Sequence, residues 1–323
     1  MRHKKWYIML VFLFTIMFAA SGCSLFQNPQ KKPGPAAPVP QKEAIQGNEP
    51  DISVFMHETG AKKTMKMEEY IAGVVAGEMK TDWPVEALAA QAILARTFTV
   101  QAIEEKGGVP SHGTQASTDI KEFQAYNGQG VDDNVKKAVE MTRGMIITYQ
   151  GKPIHAWFHA SAGGITATAK EGLDYKYDEP PYIESVQSPD DLAPDDIKNW
   201  TASFTKAELM AALTKMGKTV NAVDSVDISR KGPSGRATSI VINKNMEVSG
   251  PDLRVALGSS KLKSMLLDKV EVTGGNVVFS GKGFGHGVGM SQWGANKLAV
   301  DGKKAQEILG QYFKDVTIEK RWN

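Results

Sequence analysis

The chain has 323 residues, of which 41% are hydrophobic, enough to bury a large core in one domain or two closely packed ones. Lysine and arginine number 38 against 36 acidic residues, and the balance is 35 to 36 once Arg2, Lys4 and Lys5 of the first 22 positions are set aside. That near-neutral total offers no electrostatic footprint for a nucleic-acid partner. Residues 1–5 are basic, 6–20 are apolar, and Ala20-Ser21-Gly22-Cys23 follows. An apolar run this short suits a secretory signal better than a membrane span. Cys23, the only cysteine, forms no disulfide within the chain; after small residues it reads as the lipidated cysteine of a lipobox, with an uncleaved anchor as the alternative. Residues 1–22 are thus expected to be a signal peptide. Residues 23–50, with six prolines, read as a lipid-anchored, semi-extended tether, and 51–323 as the folded domain. This organisation puts the domain on the extracytoplasmic face of the membrane.

Residues 51–57 (DISVFMH) alternate as a strand does. The stretch 70–76 is small and apolar on every side, a buried helix that ends at Glu78. After the polar break Lys80-Thr81-Asp82, Pro84 suits the start of a second helix, from about 85 to 105, and Gly107-Gly108 stops it. Glu78 is therefore a carboxylate at a helix–helix elbow. Burial there would raise its pKa and keep it protonated, as a general acid requires. From this stretch alone the commoner reading is the plainer one, since a glutamate at a helix end is usually just solvated or caps a neighbouring backbone group.

A loop to about Gly130 precedes a helix over 133–142, then a hairpin of 145–149 and 154–158 turning at Gln150-Gly151. His155 and His159 share a face on either a helix or a strand, but two histidines without a third ligand are a weak metal signal, and no metal site is expected. Gly163-Gly164 reads either as a groove wall open to a sugar or as a tight turn needing positive φ. Residues 173–199, rich in Pro and Asp, read as a surface excursion. Thr205 and Glu208 form a capping box that opens a helix over 203–216. Strands are expected at 223–229, 237–243, 270–273 and 276–280, with a short helix begun at Pro251. Glycines at 281, 283, 285, 287 and 289 would lie on one face of an extended strand, a bare face for another segment or a glycan ring. Two helices, 290–300 and 303–313, close the chain. Helices early and strands late give an α+β fold: an N-terminal helical pair, a mainly antiparallel β C-terminal half, and a substrate groove between them.

EEYIAGVVAGEM followed by PVEALAAQAILARTFT, and later GKGFGHGVGMSQWGA, resemble the two signature stretches of the SpoIID/LytB family of bacterial cell-wall proteins. The likeness runs over about 52–318. It implies a peptidoglycan lytic transglycosylase, needing no cofactor, in which Glu78 is the catalytic acid. Such an enzyme cleaves the bond between N-acetylmuramic acid (MurNAc) and N-acetylglucosamine (GlcNAc), leaves a 1,6-anhydro ring, and works on peptide-stripped glycan. One carboxylate suffices for that chemistry, whereas a glycoside hydrolase normally uses two. His286, Ser291 and Gln292 are candidate sugar contacts or orienters of Glu78, and Arg96, Tyr126, His159, Ser161 and Gly163 are further substrate-binding candidates. For Arg96 a structural ion pair is an equal alternative. Trp157, Trp293, Tyr126 and Phe284 are candidate stacking platforms. Some relatives hold zinc with His and Cys near 153–169, and this chain has no cysteine there. Expected partners are peptidoglycan glycan strands, the membrane through the lipid anchor, and a cell-wall amidase. The competing expectations are a non-catalytic LytB-like modifier that stimulates an amidase, and a muramidase.

Overall fold

The computed structural model describes residues 47–323. Residues 1–46, which hold the expected signal peptide, Cys23 and most of the expected tether, lie outside the described residues. Residues 47–50, read from sequence as the end of the tether, are docked onto the folded body. Gly47 N–H donates to the Arg321 carbonyl (2.8 Å), Glu49 accepts from Glu68 N–H (2.9 Å) and pairs with Arg143, and the Pro50 carbonyl accepts from Met67 N–H (3.0 Å).

Strand β1 (Asp51–Met56) pairs antiparallel with β2 (Ala61–Lys66), which leads directly into helix α1 (Met67–Glu78). β2 had no sequence signal because only Met65 points inward; its exposed lysines suit an edge strand that must not pair further. α1 buries Met67, Tyr70, Ile71, Val74 and Val75. Helix α2 (Val85–Lys106) runs through the middle of this half, packed by α1, by α3 (Asp133–Met141) and by β4 (Met145–Tyr149), while β3 (Ala116–Ser117) pairs parallel with β1. Each of Leu88, Ile93, Leu94 and Val100 is fully buried and contributes about 1.5–3 kcal/mol. Its end is as expected: Gly107, at φ 74°, donates to the Ile103 carbonyl and Gly108 to that of Ala102.

Beyond β4 the hairpin is shorter than its sequence suggests. β5 (Lys152–Pro153) is only two residues long, and its pairing with β4 ends one residue on, where Ile154 N–H donates to the Ile147 carbonyl (3.2 Å). A tight turn follows, Trp157 N–H donating to the His155 carbonyl (2.9 Å), and β6 (Phe158–His159) leaves for another sheet. After α4 (Ala169–Leu173) and α5 (Asp195–Lys198), the chain builds a second hydrophobic core of its own from Trp200 to Phe279. There β7 (Trp200–Thr205) precedes α6 (Lys206–Lys215), which begins at the Thr205–Glu208 capping box. Next come β8 (Val226–Lys231), β9 (Ala237–Ile242), β10 (Met246–Ser249), α7 (Gly250–Leu257), β11 (Leu267–Thr273) and β12 (Asn276–Gly281). These strands form two antiparallel sheets, β10-β9-β8 and β11-β12-β7. β7 alternates buried and exposed residues perfectly but is only six residues long beside a strong helix cap, which masked it in the sequence.

The chain then returns to the first core. β13 (Met290–Ser291) pairs parallel with β6, α8 (Gln292–Val300) and α9 (Ala305–Tyr312) pack on α2, and β14 (Thr317–Lys320) closes on β4. The fold is α+β with antiparallel sheets, as expected. No helix of the described residues is long and apolar enough to cross a membrane.

Candidate active site at the end of helix α1

Glu78 is the last residue of α1, where Met79 N–H closes the helix on the Val75 carbonyl (3.0 Å). The following turn is held rigidly. Asn134 of α3 donates its amide to both the Thr81 and Trp83 carbonyls (2.8 Å each), and α2 starts after Pro84. Glu78 Oε1 accepts from Ala125 N–H (2.8 Å), and the Gln292 side chain hydrogen-bonds the same carboxyl. Burial raises the pKa of Glu78; the Ala125 N–H and Gln292 oppose the rise without cancelling it. None of the groups that shift it is a carboxylate.

Gln292 reaches Glu78 because Ser291 caps α8, its hydroxyl accepting from Gly294 N–H (3.2 Å). Gln292 also donates to Gln91 Oε1 (3.4 Å), a fully buried amide on α2. Gln91 is absent from the residues singled out by sequence. Its signal was there: a lone amide inside the apolar run ALAAQAILA, where burial without a partner would be costly. Beside this group the indoles of Trp83 and Trp293 lie 4.5 Å apart at 57°, and Lys80 Nζ sits 5.5 Å from the Trp293 ring centre.

Ser161, Gly163 and Ser291 converge on a residue of the segment 173–199, whose composition reads as a surface excursion. Asp190 is buried and accepts from the hydroxyls of Ser161 (2.7 Å), Ser188 (2.6 Å) and Ser291 (2.9 Å) and from Gly163 N–H (2.8 Å). Ser188 also bonds Tyr312 Oη (2.9 Å). Ser161 and Ser291 are therefore buried struts facing Asp190 and not open to a sugar, and the segment 173–199 is not merely a surface excursion. Gly163, at φ 67°, and Gly164, at φ 103°, form the tight turn.

The glycine-rich stretch is not an extended strand past Gly281. Gly283, Gly285, Gly287 and Gly289 all have positive φ, so the backbone loops in a conformation that removes the single bare face. What packs against it is another segment: Phe284 and Ser161 exchange backbone hydrogen bonds (2.8 and 2.9 Å), and a Cβ on Gly289 would lie 2.0 Å from the Trp157 carbonyl oxygen. Phe284 takes part through its backbone, and Trp157 stacks on His155.

His286 and His159 fasten this contact. His286 Nδ1 accepts from Val288 N–H (3.0 Å), and the ring also hydrogen-bonds the Phe158 backbone. His159 Nδ1 bonds the Val288 carbonyl (3.1 Å), with the two rings 5.6 Å apart. Burial, then the charges of Arg254 and Arg236, push His286 down to about 3; burial, then His286 and Arg236, hold His159 well below the usual histidine value. Both clamp segments together; His159 is buried, which corrects its assignment as a sugar contact, whereas His286 stays partly exposed. His155 does not share a face with His159: the turn at 155–157 redirects it to Gln101 (3.1 Å) and Tyr175 (3.3 Å). Among the described residues no cluster of three or more His, Cys, Asp or Glu is arranged to hold a metal.

Arg96 is fully buried. It grips Glu68 through Nε (3.1 Å) and Nη2 (2.6 Å) and donates to the Met145 carbonyl (2.9 Å). Glu68 in turn accepts from Gly144 N–H (3.0 Å) and Trp322 Nε1 (2.8 Å). Of its two sequence readings, the structural ion pair is the one realised. Tyr126 lies half-buried against Gly73, its ring parallel to Tyr70 at 5.8 Å, and lines a cleft of about 480 Å³ with Glu69, Val131 and Lys136. It is one residue from Ala125, the backbone partner of Glu78. Of the predicted set, Glu78 and Gln292 are in direct contact, joined by Ser291 as the cap that positions Gln292.

Residues 56–149, which hold the elbow and Tyr126, match the stage II sporulation protein family, and 185–289 match a domain of unknown function that encloses the second core. The chain is 35% identical to stage II sporulation protein D of Bacillus amyloliquefaciens, over 83% of this chain and 78% of that one. It is 32% identical to stage II sporulation protein D of Bacillus subtilis strain 168, over 86% and 81%. An amidase enhancer of the same strain is 29% identical over 77% of this chain but 40% of its own length. By extent and identity, the chain belongs to the SpoIID family.

Proposed function

We propose that this protein is a membrane-anchored murein lytic transglycosylase with Glu78 as its acid and base. The observation that carries the reading is the state of Glu78: a carboxyl whose pKa is raised by burial, held by one backbone N–H and one amide, with no carboxylate among the groups that shift it. Protonated Glu78 gives its proton to the glycosidic oxygen as the bond from C1 of MurNAc breaks. The resulting carboxylate takes the proton from the C6 hydroxyl of the same sugar as O6 closes on C1, which regenerates the acid and consumes no water. Ala125 N–H and Gln292 stabilise the carboxylate between the two transfers. The anchor in this reading is a diacylated Cys23, and the substrate is peptide-stripped glycan.

A second reading is favoured by the similarity to the amidase enhancer: a non-catalytic modifier that binds wall glycan and stimulates an amidase. Mass spectrometry of products decides between them. The full chain and its Glu78→Gln variant are incubated with intact and with amidase-stripped peptidoglycan. Anhydro-muramic ends from the unmodified protein alone are the expected result. Reducing ends would indicate a muramidase. No product from either substrate, with wall binding retained, would favour the modifier.

A further inference from the structure

Two residues beyond Glu78, the exposed Lys80 has no carboxylate within ion-pair distance among the described residues. Its ammonium rests over the Trp293 ring instead, at 5.5 Å. Trp83 and Trp293, both half-exposed, form an open angle of 57° beneath it. The turn that carries Lys80 and Trp83 is pinned by Asn134. Trp293 follows Gln292, which bonds Glu78. A rigid pair of indole faces with an unspent cation above them, attached on both sides to residues of the candidate acid group, fits an apolar sugar face bearing an anionic substituent.

We propose that Lys80, Trp83 and Trp293 form a subsite for a carboxylate-bearing sugar, with Lys80 as the specificity-determining residue. This rests on the reading of glycan as the ligand. In peptide-stripped murein the sugars alternate between neutral GlcNAc and MurNAc with a free lactyl carboxylate. Only MurNAc presents the carboxylate, so a cation fixed beside Glu78 sets which of the two alternating glycosidic bonds meets the acid. The indoles supply stacking to either sugar, and Lys80 supplies the register.

The test measures binding calorimetrically on the full chain carrying Glu78→Gln, which removes turnover. The probes are a peptide-free GlcNAc–MurNAc oligomer and the same oligomer with its lactyl carboxylates converted to amides. The charged oligomer is expected to bind about two- to fivefold more tightly at low salt, the size of one exposed charge contact, with the preference shrinking as salt is added. Adding Lys80→Met should make the two equal without weakening the amidated probe, and Lys80→Arg should restore the preference. An unchanged preference in Lys80→Met, or no preference or no binding with Lys80 present, overturns the proposal. A protein that shows the preference but yields no anhydro ends would sink the catalytic reading and leave this one standing.

Discussion

Gln292 opens helix α8 and Glu78 closes helix α1, and their side chains meet, so the family's two signature stretches are joined at a single carboxyl. Gln292 donates to that carboxyl and so holds its pKa down against burial. Gln292→Leu removes the donor, and the pKa of Glu78 should rise further. In the proposed reaction the acid is active while protonated, so the alkaline limb of the kcat/KM profile on peptide-stripped glycan should move to higher pH. The maximal rate should fall roughly tenfold as the carboxylate intermediate loses a partner. A limb that stays in place would show that Gln292 does not act through Glu78.

The same burial has a consequence for stability. The folded pKa of Glu78 is raised above the usual 4.5, so the folded state binds the proton more tightly than the unfolded state does. The stability this gives is fully present below pH 4.5 and is lost as pH rises through the folded pKa. Glu78→Gln retains an acceptor for Ala125 N–H but has no charge to desolvate. The variant should therefore have a higher Tm than the unmodified protein at neutral pH and an equal one near pH 4. Thermal unfolding at the two pH values tests this.

Asp190 accepts four hydrogen bonds in a site closed to solvent. Asp190→Ala leaves three hydroxyls and an N–H without their partner, a loss of about 3–5 kcal/mol. Because Ser291 is one of the three and also caps α8, glycan cleavage should fall even where the variant is still folded. Urea denaturation gives the first number; a loss under about 1 kcal/mol would mean water replaces the carboxylate.

Arg96 and Glu68 should behave as one unit. Arg96→Met leaves Glu68 charged inside the protein and should cost about 3–5 kcal/mol, whereas adding Glu68→Gln should recover a large part of that. Glycan affinity measured on the folded fraction should not change, since the guanidinium never reaches solvent. Additive losses in the double variant would refute the coupling.

The helices around the site were legible because their signals are local. Pro84, Gly107 and the Thr205–Glu208 box mark boundaries by backbone chemistry, and the apolar run before Glu78 can only be buried. Asp190 was hidden because its partners come from residues 161–163, 188 and 291, and nothing in PDDLAPDD separates the one buried aspartate from its solvated neighbours. The glycine run misled for a different reason. Alternation fits an extended strand and a chain of left-handed turns equally well, and the choice is made by the carbonyls of Trp157 and Ser161 pressing on it.

The second core has one more implication. Its first and last strands meet at their outer ends, Trp200 opposite Gly281, and just outside them Gly283 N–H is tied to the Ile197 carbonyl (2.9 Å). Entry and exit therefore share one doorway, and the excursion is a single long loop with clasped ends that is also buttoned down in its middle, where Arg236 donates to the Ala162 (2.6 Å) and Ile165 (2.8 Å) carbonyls. Away from that button, a segment joined in this way can be lengthened or shortened in evolution without rerouting the chain that builds the acid site. The part of the family where sequences should diverge fastest is thus the part that lies between the two halves of its signature.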